Sequence, residues 1–319
     1  MEMRLKAFKA VKTNNGAAGI DGMSIADYEE KLTGNTYKLW NRMTLGSYCP
    51  KPVREVAISK KPWGQRVLGT PTVEDRVAQQ VVKNYLEPKV DPSFHQDSYG
   101  YRPGKNVHQA VTQSLKRRSF IGWVIDLDIK CFFDNLDHEL MMKGLKRYTT
   151  EKWVLMYVER WLKAGMQKQD GQIISRTSGM PQGGVVSALL ANIYLHFALN
   201  KWMEIHFPKA RFERYCDDIV IHCRSQKQAL YLKSKVIGRM GERKLEINEG
   251  KTHVVYCKNE QNAERGHQKV SYNFLGYTLR PKLSPTKHGL KLLTAACMSH
   301  SSKLDVREDP QNVNPEIPG

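Results

Sequence analysis

The chain has 319 residues, 40% of them hydrophobic, so it is long and apolar enough to bury a core and to form one or two domains. Lys and Arg outnumber Asp and Glu by 50 to 32, a formal charge of +18. The excess is +9 in residues 1–120 (20 − 11) and +9 in the remainder (30 − 21), which excludes a purely basic tail. This distribution favours a polyanionic partner, such as nucleic acid, over a merely soluble basic protein.

The cysteine pattern and the absence of long apolar runs narrow the class further. No two of the six cysteines have Cys-x-x-Cys spacing, so a zinc knuckle or redox pair is disfavoured and reduced thiols are expected. The sequence has no signal peptide and no apolar run long enough to span a bilayer. We therefore expect a cytoplasmic protein that does not bind membranes.

The N-terminal segment combines a basic helix with a glycine-rich loop. Residues 1–12 are predicted to form an amphipathic helix with apolar residues on one side and lysines on another. The glycines of Asn15–Gly22 permit positive φ and close approach of the backbone to a ligand. Ser24 is predicted to cap the helix that follows, over residues 25–32.

A basic hairpin is predicted next. Alternation at residues 53–58 and 67–70 indicates two strands, and the connecting turn carries Lys60, Lys61 and Arg66. Cations on a rigid hairpin can bind phosphates, although a solvated basic turn has the same pattern.

A helix is predicted over residues 72–86, ending before Pro88. Two later segments are predicted to lie just before helix N-termini. The first is the turn-rich stretch Ser98–Gly104, which leads into another helix. Arg102 precedes that helix, where the dipole and backbone N–H groups favour an anion. Gln182 lies in a flexible loop before the long apolar helix predicted from residue 185, where its amide could meet a nucleotide or the loop could merely connect.

Three acidic residues are associated with predicted strands. Asp128 follows a buried strand, where a carboxylate is costly unless it is exposed or coordinated. Asp217 and Asp218 lie at the turn of a hairpin over Arg211–Cys223. Adjacent carboxylates repel each other, so the pair requires either free water or a hard divalent cation. If a sheet paired these strands, the carboxylates could hold two metal ions about 4 Å apart for nucleotidyl transfer.

The residues at the hairpin turn resemble a known sequence motif. Tyr215-Cys216-Asp217-Asp218 resembles the Tyr-x-Asp-Asp motif of reverse transcriptases. Eight segments resemble successive blocks of the group II intron reverse transcriptases, in the family's order over about residues 1–283: Asn15–Gly22, Lys60–Pro71, Ser98–Gly104, Asp128–Asp134, Gly179–Asn192, Tyr215–Asp218, Leu245–Thr252 and Phe274–Gly276. The ordered set is far more specific than the four-residue motif alone.

The resemblance implies an α+β fold with the fingers and palm of a right-hand polymerase, the palm being a ferredoxin-like antiparallel sheet packed on helices. Residues 1–119 are assigned to the fingers, 120–298 to the palm and 299–319 to a flexible tail, with about 140–180 contributing to the fingers. On this resemblance we expect the sequence to stop about where the family's thumb, or maturase domain, begins, with no endonuclease after it. The apolar surface that a missing thumb leaves predicts a homodimer.

The family's catalytic roles fall on three acids, and its metal-binding roles fall on the same acids and one backbone carbonyl. Asp128, Asp217 and Asp218 match the metal-binding acids, and the backbone carbonyl of Ile129 is a further ligand. The implied cofactor is Mg²⁺, two ions, with Mn²⁺ as a substitute. The other matching positions surround the nucleotide: Lys60, Arg66, Arg102, Phe133, Gln182 and Lys251.

The nucleotide-binding roles are also implied residue by residue. Lys60 and Arg66 match the fingers cations that bind the triphosphate, and Arg102 is a less direct helper. Phe133 matches the steric gate against a ribose 2′-hydroxyl, with Phe132 as the alternative. Gln182 matches the residue that lines the nucleotide pocket, and Lys251 matches a basic residue near the active site.

The implied function is RNA-directed DNA polymerisation, in which dNTPs are added to a DNA or RNA primer on an RNA template in a cytoplasmic ribonucleoprotein with intron RNA. One alternative is an intron-RNA-binding module that supports splicing and has little polymerase activity. It is favoured by the basic helix and glycine-rich loop at residues 1–22. Another is a reverse transcriptase of the retron or phage-defence type, which shares the core motifs.

Overall fold

The computed structural model describes residues 2–59, 65–257, 270–286 and 289–298. The chain forms two compact units. We call residues 1–93 and 133–194 unit 1, and residues 94–132 and 195 onward unit 2. The predicted fingers and palm are functional assignments with other boundaries, and they stay predictions. The tail predicted at 299–319 lies outside the described residues.

The described residues contain helices and strands in mixed order. The helices are α1 Glu2–Asn14, α2 Ile25–Glu30, α3 Leu32–Thr44, α4 Val73–Val90, α5 Val107–Arg118, α6 Phe132–Asn135, α7 His138–Leu145, α8 Lys152–Lys163, α9 Ser187–Leu195, α10 Lys201–His206 and α11 Gln226–Glu242. The strands are β1 Val53–Ser59, β2 Gln65–Thr70, β3 Trp123–Leu127, β4 Met166–Gln167, β5 Ile173–Ile174, β6 Arg211–Tyr215, β7 Asp218–Cys223, β8 His253–Tyr256, β9 Tyr272–Phe274, β10 Tyr277–Thr286 and β11 Gly289–Met298. A 3₁₀ turn, Asp91–Ser93, follows α4, and a π-helical turn, His196–Asn200, joins α9 to α10.

Unit 1 contains a sheet in the order β2-β1-β4-β5. The predicted basic hairpin is confirmed, because β1 and β2 pair antiparallel from Arg54 opposite Thr70 to Ser59 opposite Gln65. Its tip, with Lys60 and Lys61, lies outside the described residues, and for Arg66 only the backbone is described.

Helix α4 shows one error of the sequence reading. Thr72 caps it by accepting a hydrogen bond from the Asp75 N–H, as the sequence suggests. The predicted end before Pro88 is wrong, because the helix continues to Val90. Proline removes one backbone donor, but Leu86 and Val90 are completely buried, and their burial stabilises the last turn.

Unit 2 is built on an antiparallel sheet in the order β6-β7-β3-β8. Along the chain its elements run β3, helices, β6, β7, α11, β8, which is the predicted ferredoxin-like arrangement. One face of this sheet, with Val124, Val220 and Val255, shares a buried core with Val111 of α5 and Phe274 of β9. Helix α11 packs against β3, β7 and β8.

A second sheet in unit 2, ordered β11-β10-β9, includes a long hairpin that the sequence reading missed. Strands β10 and β11 pair over ten positions, from Tyr277 opposite Met298 to Thr286 opposite Gly289. All six cysteines are free, as predicted. Among the described residues, no helix combines the length and the apolar character that crossing a membrane requires.

Candidate active site

The predicted acidic turn is confirmed as a tight hairpin loop in unit 2. Strands β6 and β7 pair up to Tyr215 opposite Asp218, which leaves Cys216 and Asp217 as a two-residue loop. Cys216 is buried and has a φ of +55°. Asp217 is half-buried, and Asp218 is exposed at the first position of β7. The turn therefore presents its carboxylates at the end of the sheet.

The sheet register brings Asp128 to the same end. Strands β3 and β7 pair as far as Leu127 opposite Ile219. The same register extended by one residue places Asp128 opposite Asp218, on one face of the sheet. Residues directly opposite each other in antiparallel strands have Cβ atoms about 4.5–5.5 Å apart. The strand pairing that the sequence left open thus brings two of the three acids together.

The backbone of Asp128 is fixed from the β8 side. Its carbonyl accepts a hydrogen bond from the Asn248 N–H (2.8 Å), and its N–H donates to Thr252 Oγ1 (3.2 Å). Thr252 is buried, with 2% of its surface exposed. The predicted Lys251 precedes it and is exposed. Lys251 is therefore attached directly to the residue that holds Asp128.

The predicted ligand Ile129 has a suitable backbone orientation. It forms a bridge with Ile247, and the hydrogen bonds around that bridge use the Lys130 N–H and the Asp128 carbonyl. Because backbone groups alternate sides along a strand, the Ile129 carbonyl is directed away from this bridge and toward the β7 side, where Asp218 lies.

A buried arginine supports the acidic turn, and the sequence reading missed it. The Arg214 guanidinium donates to the Cys216 carbonyl (3.0 Å), Ser98 Oγ (2.7 Å) and Asn200 Oδ1 (3.0 Å). Arg214 is completely buried, and burial lowers its pKa to about 10. Arg214 lies on the same face of β6 as the buried Phe212, but β6 also contains Arg211 and Glu213, so no apolar pattern marks Arg214 in the sequence. Arg214 holds the turn from behind.

The stretch Ser98–Gly104 also packs against the turn. A Cβ at Gly100 would lie 2.5 Å from the Cys216 nitrogen, so only glycine fits there. Arg102 is buried, and its Nη1 atom donates to the carbonyls of His95 (2.9 Å) and Ser98 (2.8 Å). The structure therefore places Arg102 in the support of this loop, and its contact with a triphosphate stays a prediction.

A buried ionic network lies on the same sheet. The Glu213 carboxylate, completely buried, is bound by His222 Nε2 (2.6 Å) and Arg117 Nη1 (2.7 Å). Arg117 also donates to Asp97 (2.7 Å). Burial opposes the charge of Arg117, but the bonds to both acids raise its pKa above the ordinary value. This network fixes β6 and β7 to α5. The network was not predicted from the sequence.

In unit 1, three of the predicted nucleotide-binding segments are joined by backbone hydrogen bonds. The Gln182 carbonyl accepts from the N–H of Gly69, on the strand that carries Arg66 (2.8 Å). The Phe133 carbonyl accepts from Met180 (2.7 Å), in the same loop as Gln182. Phe133 is 7% exposed and Phe132 is 2% exposed. Phe133, the Gln182 loop and strand β2 therefore form one cluster.

The donor set of unit 2 fits a magnesium site that is completed by substrate. In the part of the chain that the structure describes, no group of three or more His, Cys, Asp or Glu side chains is already arranged to hold a metal ion. The available donors are the paired carboxylates of Asp128 and Asp218, the neighbouring Asp217 and the Ile129 carbonyl. Mg²⁺ prefers oxygen ligands, binds through one or two carboxylates, and takes the rest from water and phosphates.

These features define a nucleotidyl-transferase palm, and comparison with known proteins gives its family. The family model described as reverse transcriptase (RNA-dependent DNA polymerase) matches residues 58–279. The match includes the acidic turn, Asp128 and the Gln182 loop. The chain belongs to the reverse transcriptase family.

Two relatives place it more closely. The chain is 34% identical over 194 residues to the group II intron-encoded protein LtrA of Lactococcus lactis subsp. cremoris, covering 60% of this chain and 32% of LtrA. It is 28% identical over 264 residues to Protein YkfC of Escherichia coli (strain K12), covering 81% of this chain and 65% of YkfC. The predicted resemblance to group II intron-encoded reverse transcriptases is confirmed, and the chain spans less than two thirds of the length of either relative.

A solved structure supports the fold. Apo telomerase from Candida tropicalis, truncated from its C-terminal domain, matches with a TM-score of 0.56 and 14% identity, covering 82% of this chain and 60% of that one. The predicted α+β polymerase fold with antiparallel sheets is confirmed.

Proposed function

We propose that this chain is the RNA-directed DNA polymerase core of a group II intron-encoded protein, which adds dNTPs to a primer 3′-hydroxyl on an RNA template. The observation that carries the proposal is the register of β3 and β7, which brings Asp128 opposite Asp218 beside the Asp217 turn. Carboxylates concentrated at one exposed sheet end suit the chemistry of nucleotidyl transfer. Membership of the reverse transcriptase family supports the same reaction.

The proposed chemical roles follow from the donors. Asp128, Asp217, Asp218 and the Ile129 carbonyl would hold two Mg²⁺ ions, with Mn²⁺ as a substitute. When bound, such ions lower the pKa of the primer hydroxyl and stabilise the departing pyrophosphate. The protein's own contribution is orientation: Thr252 fixes the Asp128 backbone, and the turn is fixed by the buried Arg214.

The nucleotide-binding roles are proposed residue by residue. Lys60 and Arg66 bind the triphosphate, Gln182 lines the nucleotide pocket, and Phe133 excludes a ribose 2′-hydroxyl, or Phe132 does so in its place. Support comes from the backbone bonds that join the Phe133 and Gln182 segments to β2. Arg102 is proposed as a less direct helper in binding the triphosphate, and Lys251 as a basic residue near the active site.

Primer extension on an RNA template with dNTPs and Mg²⁺ tests the proposal. Asp128→Asn and Asp218→Asn should each lower the rate about 100-fold or more, because each removes a carboxylate that stabilises transition-state charge. The matched control is Asp126→Asn, on the same strand and sheet face but at the position that pairs with Val220. Full activity of Asp128→Asn would falsify the assignment.

Intron-RNA binding by unit 1 is the second candidate function. Helix α1 exposes Lys6 and Lys9, and the Arg4 guanidinium lies 5.6 Å from the ring centre of Trp40 on α3. Tyr37, one turn from Trp40, is 58% exposed. Cations interleaved with exposed aromatic rings are typical of surfaces that bind single-stranded RNA.

Equilibrium binding to a structured intron RNA at several salt concentrations tests this second function. Lys6→Gln with Lys9→Gln should weaken binding and flatten its salt dependence, because fewer phosphates are neutralised and fewer counterions are released on binding. Tight RNA binding without dNTP incorporation would favour a splicing module over a polymerase. In either case we propose a cytoplasmic ribonucleoprotein. We also propose a homodimer. It predicts that the apparent mass of the protein in analytical ultracentrifugation rises with protein concentration.

A further inference from the structure

Unit 2 exposes a cluster of aromatic and aliphatic side chains on α10, α11 and the turn before β6. The rings of Trp202 and Phe207 are 5.1 Å apart, and those of Phe207 and Tyr231 are 6.4 Å apart. Tyr231 is 55% exposed, Leu230 beside it in the chain is 54% exposed, and Ile205, one turn after Trp202 on α10, is 71% exposed. We call these five residues the aromatic surface. Large apolar side chains exposed together indicate a binding site more often than chance exposure does.

Cations accompany the rings of the aromatic surface. Lys235 Nζ lies 5.4 Å from the ring centre of Tyr231, and the Arg239 guanidinium lies 5.9 Å from that of Trp202. Lys227 and Lys235 are each four positions from Tyr231 on α11, so the three side chains share one helix face.

The charge balance at the aromatic surface is positive. Lys201 and Lys209 are exposed at the two ends of the segment that carries Trp202 and Phe207. Glu204 pairs with Lys201 (2.8 Å), and Glu242 pairs with Arg239 (3.0 Å). The two acids leave an excess of cations once Lys209 and the lysines of α11 are included.

The part of the aromatic surface that contains Tyr231 lies toward the end of the sheet away from the acidic turn. Strand β7 runs from Asp218 at the turn to Cys223 at the opposite end of the sheet, and the steps of about 3.3 Å between its successive residues add to about 17 Å. Helix α11 begins at that opposite end, at Gln226, and the turn after α10 leads into the first residue of β6 there. Tyr231, in the second turn of α11, therefore lies nearer to this opposite end of the sheet than to Asp218.

We infer that the aromatic surface binds a single-stranded segment of RNA, with bases stacked on Tyr231 and Trp202 and phosphates contacted by the surrounding lysines. Base stacking on aromatic rings beside a positive charge is the common mode of single-strand recognition. Protein interfaces are depleted in lysine at their centres, whereas here the rings are in contact with cations. The site is additional to the polymerase centre, so its function does not depend on the chemistry proposed there.

Photo-crosslinking tests the location. The full chain is first saturated with an unlabelled RNA–DNA template–primer duplex and then given a short single-stranded oligouridylate that contains 5-iodouridine. We expect crosslinks in the peptides that carry Trp202, Phe207 or Tyr231. Crosslinks confined to unit 1 or to the segment around Asp218 would overturn the inference.

Binding measurements test the energetics. Tyr231→Ala should weaken oligouridylate binding about 5- to 150-fold, because stacking contributes about 1–3 kcal/mol per base. The matched control is Phe120→Ala, since Phe120 is an aromatic residue of the same unit that is 78% exposed. Both replaced side chains are largely exposed, so both variants should fold. Equal affinity of the two variants would count against the aromatic surface.

Charge variants complete the test. Lys227→Gln with Lys235→Gln should weaken the salt dependence of oligouridylate binding. The slope of log K against the logarithm of the salt concentration should become shallower by about 0.7 for each phosphate that is no longer neutralised. Asp218→Asn should leave this binding unchanged, which separates failure here from failure of the polymerase proposal. If Tyr231→Ala instead lowered self-association in sedimentation and left RNA affinity unchanged, the occupant would be a second copy and the inference would be wrong.

Discussion

The acidic turn of unit 2 and the Gln182 loop of unit 1 are held in place by opposite means. Behind the turn lies a buried charged side chain, Arg214, which donates to three neutral acceptors. The loop is instead held by main-chain contacts in which Gly179 and Gly183 approach carbonyl groups closely. The turn therefore depends on a buried charged side chain in addition to the close approach of Gly100, whereas the loop depends on close approaches of its glycines to the backbone.

This difference predicts different sensitivities to substitution. Around the turn, removal of a buried charge or its partner should be the severe change, because the remaining groups stay desolvated. Around the loop, addition of a single Cβ should be severe, because a backbone carbonyl cannot move aside as a flexible side chain can.

The largest expected effect is at the ionic network beside the turn. Glu213→Leu should lower the free energy of unfolding by about 3–5 kcal/mol, because His222 loses its carboxylate partner and Arg117 loses one of its two carboxylate partners. Denaturant titration measures the change. The control is Glu246→Leu, which removes a pair between exposed side chains, Lys130 and Glu246, and should lower the free energy of unfolding far less. Similar losses in both variants would contradict the importance of burial.

Gly179→Ala should have the next largest effect. Gly179 has a φ of +73°, and a Cβ there would lie 2.5 Å from the Asp134 carbonyl oxygen and 2.6 Å from that of Phe133. The added strain and overpacking should cost about 2–4 kcal/mol and displace the Gln182 loop. We expect a raised KM for dNTPs in primer extension, with a smaller change in kcat.

Gly171→Ala is the matched control for this substitution. Gly171 belongs to the same unit and has a φ of +85°, but a Cβ there would meet nothing within 4 Å. It should show the cost of positive φ alone, about 1–2 kcal/mol, with an unchanged KM. If the two alanine variants behaved alike, the close approach of Gly179 to Phe133 would not matter.

The buried groups behind the turn should also give unit 2 a pH dependence. Burial lowers the pKa of His196 to about 4, and His196 lies four residues before Asn200, which binds Arg214. Because the folded pKa is below the ordinary value, the stabilisation is complete above about pH 6.5 and is lost as pH falls toward 4. The loss is of the order of 3 kcal/mol.

Denaturant titration between pH 7 and 4 measures this effect. His196→Leu should show a smaller loss of stability over that window than the unsubstituted chain, since leucine has no proton to bind. The carboxylates titrate in both proteins, so the difference between the two curves isolates the histidine. Parallel curves would mean that His196 is protonated as easily in the folded chain as in the unfolded one.

The local features of both regions could be predicted from the sequence. Runs rich in aromatic and β-branched residues on both sides of Asp217 and Asp218 predict a hairpin, and a buried strand that ends at Asp128 predicts an acid at a sheet edge. Glycines predict the loop of Gln182. These signals are local, because each depends on residues within one or two turns or strands.

The support of the site could not be predicted in the same way. The pairing of Leu127 with Ile219 joins segments about ninety residues apart, and no local pattern specifies which strands become neighbours. Arginine is usually exposed, so the sequence predicts a surface position for Arg214, and only the tertiary structure shows that it is buried. The long hairpin of β10 and β11 was missed because Pro281 and Pro285 interrupt its alternation.

The smallest effect expected is at Thr252, and it tests whether positioning of Asp128 matters apart from stability. Thr252→Val keeps the shape of the side chain but removes the Oγ1 that accepts from the Asp128 N–H (3.2 Å). The cost in stability should be about 1 kcal/mol, because a single neutral hydrogen bond is removed. We expect a larger change in the Mg²⁺ concentration that gives half-maximal primer extension, because the Asp128 carboxylate would be less well ordered for the ion. Thr278→Val is the control, since its hydroxyl donates to Asn273 on the other sheet of unit 2 (2.7 Å). If both variants kept the same Mg²⁺ dependence, Thr252 would stabilise the fold without orienting the acid, and side-chain support of the site would then rest on Arg214 behind the turn.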